Sequence, residues 1–222
     1  MKIAIDGPAG AGKSTIAKRV AEELGFLYVD TGALYRAVGL FVLRNGKNPK
    51  DSKTVTALLD KAQVDLRHLD GTQHVFLNGE DVSDAIRTPE ASMAASDVSA
   101  ICSVRQFLFE TQRSIAATRD VVMDGRDIGT VVLPDADVKI FLTASALVRA
   151  DRRYRELLEK GQKVLYPKVL EEVLERDQQD SQREIAPLRQ APDATKLDST
   201  GMNADEVTER VIKLVRDKKS KI

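Results

Sequence analysis

A glycine-rich loop between a predicted strand and a predicted helix constrains this chain more than any other feature. The segment Gly7–Ser14 fits the phosphate-binding pattern G-x-x-x-x-G-K-[ST] and follows the apolar run Ile3–Ile5 after a single aspartate. Glycines permit positive φ angles, so such a loop brings its backbone N–H groups close to phosphate oxygens at the start of the next helix. The sequence therefore predicts a phosphate-binding loop at the end of the first strand. A glycine-rich turn at a helix start is the alternative, and the strand–loop–helix context disfavours it.

Two side chains in the loop have the charge and the reach for nucleotide chemistry. Lys13 supplies a cation for the β- and γ-phosphates, and the small hard hydroxyl of Ser14 suits a Mg²⁺ ligand. Thr15 adds a donor at the helix N-terminus. The predicted ATP-binding residues are Gly7, Pro8, Ala9, Gly10, Ala11, Gly12, Lys13, Ser14 and Thr15.

Short apolar runs alternate with long amphipathic segments, which is typical of a parallel sheet covered by helices on both faces. The predicted strands are Ile3–Ile5, Phe26–Val29, Val121–Met123, Val138–Leu142 and Thr195–Leu197. The predicted helices are Lys13–Leu24, Ala33–Arg44, Val104–Thr118, Ala146–Lys160 and Ala204–Arg216. We expect a P-loop α/β fold with three layers, α/β/α, around a parallel sheet.

Two regions depart from this alternation. Between Gln63 and Ile86, turn signals at Asp70-Gly71 and Asn78-Gly79 separate short alternating runs, which indicates a small antiparallel β meander. His68 and His74 lie in this meander and are expected to be surface residues of the hairpin, neither ligands nor catalysts. From Asp151 to Arg189 the chain is rich in arginine, glutamine and carboxylates, which predicts a solvated helical hairpin or a mobile lid.

Composition excludes several classes of function. The 222 residues, 42% of them hydrophobic, suffice for one sizeable core. Lysine plus arginine and aspartate plus glutamate number 34 each, so no global charge indicates nucleic-acid or membrane binding. The single cysteine, Cys102, excludes an intrachain disulfide. Without a signal peptide or a membrane-length apolar run, we expect a cytoplasmic protein.

Two further segments follow predicted strands. Asp30–Arg36 follows the second strand, and Asp124–Gly129 follows Val121–Met123. Because ligands bind outside the carboxyl ends of strands in open parallel sheets, both segments are expected to converge on the phosphate loop. Asp124 stands where an acidic residue would hold Mg²⁺ or its waters. A turn with a helix N-cap remains the alternative for either segment alone.

Arginines and carboxylates accumulate along the chain from Arg36 onward. Bidentate guanidinium groups suit a cleft that gathers the charges of two phosphorylated nucleotides. Ordinary pairing on a helix surface, for example Asp180 with Arg183, is the alternative. The arginines concerned are Arg36, Arg87, Arg105, Arg113, Arg126, Arg152, Arg153, Arg176 and Arg183.

Taken together, these motifs resemble those of the bacterial cytidylate kinases, in collinear order over nearly the whole chain. The matching segments are the phosphate loop, Asp30–Arg36, Ile86–Thr88, Val104-Arg105, Asp124–Gly129, Glu175–Asp177 with Asp180 and Arg183, and Leu197–Thr200. The resemblance implies a P-loop core of residues 1–62, 101–148 and 190–222. It also implies a monophosphate-binding insert at 63–100 and a lid at 149–189.

The resemblance further implies roles for single residues. Cytosine is read by Thr31, Arg105 and Asp127, which suits its N4 amino donor and its N3 and O2 acceptors. The acceptor phosphate is held by Arg36, Arg126 and Arg183, which with Lys13 form the expected catalytic set. Arg176 and Asp180 lie near the sugar hydroxyls. Ser14 and Asp124 are the expected metal ligands.

The implied reaction is transfer of the γ-phosphoryl group of ATP to CMP, and to dCMP, with Mg²⁺ in a monomeric enzyme. A kinase for UMP or for a small alcohol is an alternative, but a small-alcohol kinase needs neither the meander nor the pair Arg105 and Asp127. A GTP-dependent switch is a third reading. Asp198–Gly201 fits D-x-x-G, yet the chain lacks the guanine signature N-K-x-D.

Overall fold

The fold is a mixed α/β arrangement with a five-stranded and a three-stranded sheet. The computed structural model describes residues 1–69 and 71–220. In chain order the elements are β1 (Lys2–Asp6), α1 (Lys13–Leu24), β2 (Leu27–Asp30), α2 (Thr31–Arg44), α3 (Ser52–Leu59), β3 (Val64–Leu69), β4 (Thr72–Leu77), β5 (Glu80–Asp81), α4 (Pro89–Ser99), α5 (Cys102–Thr118), β6 (Val121–Gly125), β7 (Val138–Thr143), α6 (Ala146–Glu159), α7 (Tyr166–Gln182), β8 (Thr195–Asp198) and α8 (Ala204–Lys219). A 3₁₀ turn, Ala85–Arg87, precedes α4, and a π-helical turn, Ile128–Val132, follows β6.

The larger sheet has the strand order β2-β6-β1-β7-β8. Strand β1 runs parallel to both β6 and β7, with Ile3 opposite Val122 and Val138. The three central strands, β1, β6 and β7, are largely apolar because a parallel sheet is buried on both faces, whereas the edge strand β8 is mostly exposed. Successive strands lie on either side of β1, so its carboxyl end is the point where such sheets bind ligands. The phosphate loop begins there, and the predicted parallel sheet is confirmed.

The smaller sheet confirms the predicted antiparallel meander, with strand order β3-β4-β5. Val64 pairs with Leu77, and Leu77 with Glu80 across the next turn. At that turn Asn78 and Gly79 have φ angles of 50° and 86°, the left-handed pair that a tight hairpin requires. Asp70, in the other predicted turn, lies outside the described residues.

Helix boundaries differ from prediction in instructive ways. Helix α2 begins two residues early because the Asp30 side chain accepts a hydrogen bond from the Ala33 N–H and caps it. Helices α3 and α4 were not predicted, because α3 is short and α4 is rich in alanine and serine. The region after Asp151 forms the hairpin of α6 and α7, with Tyr154 and Tyr166 packed edge to face at 5.8 Å.

The chain divides into two compact units. The first unit comprises residues up to Tyr28 and from Asp120 onward, and the second comprises Val29–Arg119. In the first unit, α1 and α8 pack together on a core that includes Ile5 and Val211. In the second unit, α2, α4 and α5 enclose a separate core with the small sheet. No helix in the described part of the chain is long and apolar enough to cross a membrane.

Candidate active site

In the first unit the phosphate loop leaves the start of α1 open toward an anion. Helix α1 begins at Lys13, and its N-cap Gly12 has a φ angle of 88° and makes no side-chain capping bond. No acidic residue lies in its first turn. No side chain of the helix's own first turn therefore neutralises the positive end of its dipole. Gly7 is required by space, because a Cβ there would lie 1.9 Å from the carbonyl oxygen of Leu142.

The ammonium of Lys13 is buried within this loop. Its Nζ donates to the carbonyl oxygen of Pro8 at 2.8 Å. Burial, reinforced by the nearby guanidinium of Arg126, lowers the pKa of Lys13 from 10.5 to about 7, although Asp124 and Asp180 oppose the shift. A bound phosphate would supply the negative charge that this buried cation needs.

Ser14 and Asp124 meet at the carboxyl end of β6. The Ser14 hydroxyl donates to Asp124 Oδ2 at 2.9 Å, and the Tyr28 hydroxyl donates to Oδ1 at 2.9 Å. Hydroxyl and carboxylate oxygens are the ligands Mg²⁺ prefers, and a phosphate-bound Mg²⁺ needs only one or two from the protein. The described residues contain no cluster of three or more potential metal-ligating His, Cys, Asp or Glu side chains. The donor set thus fits Mg²⁺ carried by a nucleotide, not a closed protein cage.

Arg126 and Asp180 form a largely buried ion pair, in which the arginine side chain is 20% exposed and the carboxylate 6%. Arg126 Nε donates to Asp180 Oδ2 at 2.7 Å. Burial disfavours the charged form of both side chains, but their attraction to each other outweighs it. The pKa of Arg126 is therefore raised and that of Asp180 is lowered. Asp180 is thus more than an ordinary helix-surface partner of Arg183, because its carboxylate is buried and hydrogen-bonded to a residue 54 positions away.

Asp127 and Arg183 form a second buried pair. Arg183 Nη2 lies 3.7 Å from Asp127 Oδ1, and each side chain is only 6% exposed. Arg183 also donates through Nε to the carbonyl oxygen of Ala186. At 3.7 Å the contact is electrostatic, beyond good hydrogen-bond length. Asp127 stands directly before the π-helical turn, so its position depends on that turn.

Asp6, which sequence reasoning missed, holds this turn in place. Its two carboxylate oxygens accept hydrogen bonds from the N–H groups of Ile128 and Gly129, at 2.8 and 2.7 Å. Burial raises the pKa of Asp6 to about 6, although both backbone bonds oppose that shift. The signal was present in the sequence, since Asp6 is the last residue of the strand before the phosphate loop and the carboxyl ends of strands carry function.

The second unit holds the other predicted site residues near the start of α2. Arg36 Nη2 donates to Asp30 Oδ2 at 2.7 Å, while Asp30 Oδ1 caps the helix. Gln73 of β4 bonds to both the backbone N–H and the carbonyl oxygen of Asp30. Thr31 is buried at the first position of α2. Asp30 is thus a helix N-cap, which confirms that alternative for this residue. The same carboxylate also accepts a hydrogen bond from Arg36.

Arg105 is a buried arginine on α5. Its Nη1 donates to the carbonyl oxygen of Ser99, at the end of α4, at 3.3 Å. Its guanidinium carbon lies 5.7 Å from the centre of the Tyr35 ring, within cation–π range. The structure thus groups Thr31, Arg36 and Arg105 within the second unit, and Lys13 with the Asp124–Asp127 segment within the first. Convergence of these groups on one nucleotide stays a prediction.

Comparison with known proteins gives a family match over almost the whole chain. The model of the family described as cytidylate kinase matches residues 3–217. A cytidylate kinase from Caldicellulosiruptor bescii is 53% identical over 96% of this chain and 95% of its own length. One from Carboxydothermus hydrogenoformans is 51% identical over 97% of each chain. A solved structure of an uncharacterized protein from Eubacterium ventriosum aligns with a TM-score of 0.54 at 14% identity over 98% of each chain, a likeness of fold alone.

Proposed function

The chain belongs to the cytidylate kinase family, and on that premise we propose that it transfers the γ-phosphoryl group of ATP to CMP, giving ADP and CDP. One observation supports this most strongly. The open start of α1 and the buried Lys13 share the first unit with the largely buried pair of Arg126 and Asp180. Several positively charged groups in one unit suit a reaction between two phosphorylated substrates.

ATP is bound by the phosphate loop. Backbone N–H groups at the start of α1 and the Lys13 ammonium neutralise its phosphates. Ser14 and Asp124 would hold Mg²⁺, which would supply electrostatic stabilisation of the charge that develops on the phosphates. Tyr28, by bonding to the second oxygen of Asp124, fixes the carboxylate for this task.

The acceptor needs positioning and no general base. A phosphate monoester has a second pKa of about 6, so CMP is already largely a dianion at neutral pH. Arg36, Arg126 and Arg183 neutralise that phosphate and hold it for in-line attack. The carboxylates that bond to Arg126 and Arg36 set the orientation of these guanidinium groups in advance.

Thr31, Arg105 and Asp127 read the base. Asp127 accepts from the N4 amino group of cytosine, whereas uracil presents a carbonyl oxygen at the same edge. Two acceptors facing each other in a buried site are costly, so CMP is preferred over UMP. The burial of Asp127 supports this discrimination.

Arg176 and Asp180 contact the sugar. If the 3′-hydroxyl is the main contact, dCMP is phosphorylated as well as CMP. We also assign residues 63–100 to a monophosphate-binding insert and 149–189 to a lid that excludes water. A monomeric state and a cytoplasmic location stay predictions.

The experiment that tests the function measures ADP formation from ATP and Mg²⁺ with a panel of nucleoside monophosphates. We expect CMP and dCMP to be accepted. Lys13→Ala and Arg126→Ala should each lower turnover by about a hundredfold or more while the protein stays folded. Lys47→Ala and Arg155→Ala, at exposed positions, serve as matched controls. Turnover at the control level in either site variant would refute the assignment.

A further inference from the structure

We propose that Arg149 is a positioning residue that aims the phosphate loop at ATP, and that Asp177 holds it in place. Neither residue was expected to act in this way, and neither contacts substrate in the proposed reaction. The inference rests on the proposed function only in naming ATP as the ligand. It assigns a task to a buried cation that the phosphoryl-transfer mechanism leaves unused.

The guanidinium of Arg149 connects three parts of the first unit. From α6, Nε donates to the carbonyl oxygen of Ala144 at 2.9 Å, and Nη1 donates to that of Ala9 in the phosphate loop at 3.0 Å. Nη1 and Nη2 form a bidentate pair with the Asp177 carboxylate on α7. The Arg149 side chain is 5% exposed. Because Nε, Nη1 and Nη2 each donate a hydrogen bond to one of these acceptors, the position of the guanidinium is fixed.

The bond to Ala9 has a direct consequence for the loop. In a planar trans peptide the C=O and N–H groups point in opposite directions. Holding the Ala9 carbonyl toward α6 therefore turns the Gly10 N–H away from α6. Arg152 repeats the arrangement one turn later: its Nη1 lies 3.4 Å from the Ala11 carbonyl oxygen, which turns the Gly12 N–H the same way. These are backbone donors of the kind that phosphate loops direct at an anion.

Close packing leaves the loop little freedom to relax if this support is lost. A Cβ on Gly10 would lie 3.1 Å from Arg149 Cβ and 3.2 Å from its carbonyl oxygen. The loop backbone thus lies directly against α6. Asp177 neutralises the charge of Arg149, so the pair contributes geometry and not net charge to the binding of phosphate.

The same pair ties the loop to α7. That helix also carries Asp180, which bonds to Arg126. Helix α7 therefore makes two such contacts. Asp177 bonds to Arg149, which supports the phosphate loop, and Asp180 bonds to Arg126, an arginine of the proposed acceptor site. A change at Arg149 should act first on ATP, because Ala9 is the contact it loses.

The test uses substitutions that keep charge or shape. Arg149→Lys keeps the cation, but a single ammonium cannot span the carbonyl oxygens of Ala9 and Ala144 and both oxygens of Asp177. Asp177→Asn keeps the shape of the side chain and weakens one of its two hydrogen bonds with Arg149. Arg155→Lys and Asp151→Asn are matched controls, because these residues form an exposed i,i+4 pair on the same helix.

Binding is measured by calorimetry with a non-hydrolysable ATP analogue plus Mg²⁺ and, separately, with CMP, alongside the Tm of each variant. We expect Arg149→Lys to weaken binding of the analogue by about tenfold or more and binding of CMP by no more than about twofold. Asp177→Asn should act in the same direction with a smaller effect. In the double variant the two effects should be less than additive, because both act through one guanidinium.

Analogue binding within about twofold of wild type in Arg149→Lys would overturn the proposal. So would an equal loss for both ligands that follows the decrease in Tm, since that is the signature of a merely structural role. If Arg149→Lys does not fold, the same criteria applied to Asp177→Asn decide. Wild-type protein that binds the analogue but forms no CDP would refute the proposed function alone, and wild-type protein that does not bind the analogue would refute both.

Discussion

At the residue scale, Lys13 is a buried amine that the proposed reaction would pair with a phosphate group. Its ammonium donates to the Pro8 carbonyl, and burial next to Arg126 lowers its pKa to about 7. A carbonyl dipole compensates a buried charge less well than phosphate does. Lys13 is thus mostly neutral near pH 8 in the free protein, and the phosphates of a nucleotide bound as proposed would keep it charged.

We therefore predict that ATP binding takes up a proton at about pH 8 and much less at about pH 6, where Lys13 is already protonated. The affinity for ATP should correspondingly fall as the pH rises above 7. Calorimetry of the non-hydrolysable analogue in buffers of different ionisation enthalpy measures the uptake. Lys13→Arg is the control, since a guanidinium stays charged throughout this range. Equal uptake by this variant and wild type would contradict the prediction.

Asp127 has two proposed roles, base recognition and the positioning of Arg183, and one substitution can separate them. Its carboxylate lies 3.7 Å from Arg183, so it can orient that arginine as well as read the base. We predict that Asp127→Ala lowers the ratio of kcat/KM for CMP over UMP by about tenfold or more. Asp60→Ala, at an exposed position, is the control. Equal losses on both substrates would reject base reading and leave only the positioning of Arg183.

At the element scale, the π-helical turn after β6 is held by one carboxylate. Asp6 accepts from both Ile128 and Gly129, and the turn fixes the segment that contains Arg126 and Asp127. A carboxyl whose folded-state pKa is raised contributes stability that is fully present below pH 3.8 and is lost as the pH rises through 6. The site therefore retains a charge that works against stability at neutral pH.

Asp6→Asn removes this pH dependence. We predict that the stability of the variant relative to wild type rises between pH 4 and pH 7, while its kcat/KM for CMP falls because an amide satisfies only one of the two N–H groups. Urea unfolding at several pH values and steady-state kinetics measure the two effects. A relative stability that falls over this pH range, or unchanged kinetics, would contradict the account.

In the second unit, α2 and α4 pack too closely for a side chain at Gly39. A Cβ there would lie 2.9 Å from Ala94 Cβ and 3.0 Å from backbone atoms of α4. We predict that Gly39→Ala destabilises the protein by about 1–3 kcal/mol in urea unfolding, although alanine has the higher helix propensity. Ala57→Gly, on the exposed face of α3, reports propensity alone. A stabilised Gly39→Ala variant would refute the close packing.

Sequence alone predicted the elements that have strong local signals. All five strands of the parallel sheet and helix α1 follow from apolar runs and glycine positions, and Gly25 ends α1 with a φ angle of 68°. Helices α3 and α4 were missed because their patterns are short or weakly amphipathic. Arg149 with Asp177, and Arg126 with Asp180, could not be paired in advance, because such contacts depend on how distant elements pack and not on spacing along the chain.

At the scale of the whole molecule, the proposed roles are shared between the two units. The first unit contains the phosphate loop, the proposed Mg²⁺ ligands and the Arg126–Asp180 pair, while the second contains Thr31 and Arg105. In the proposed reaction ATP depends on the first unit and cytosine on residues of both. Neither unit alone therefore contains every residue that the reaction requires.

The most direct test quantifies all nucleotides after the protein is mixed with ATP and Mg²⁺, with and without CMP. The account predicts that ADP and CDP appear in equal amounts and that omitting CMP nearly abolishes ADP formation. ADP that forms equally fast without CMP, or that accompanies no CDP when CMP is present, would contradict it.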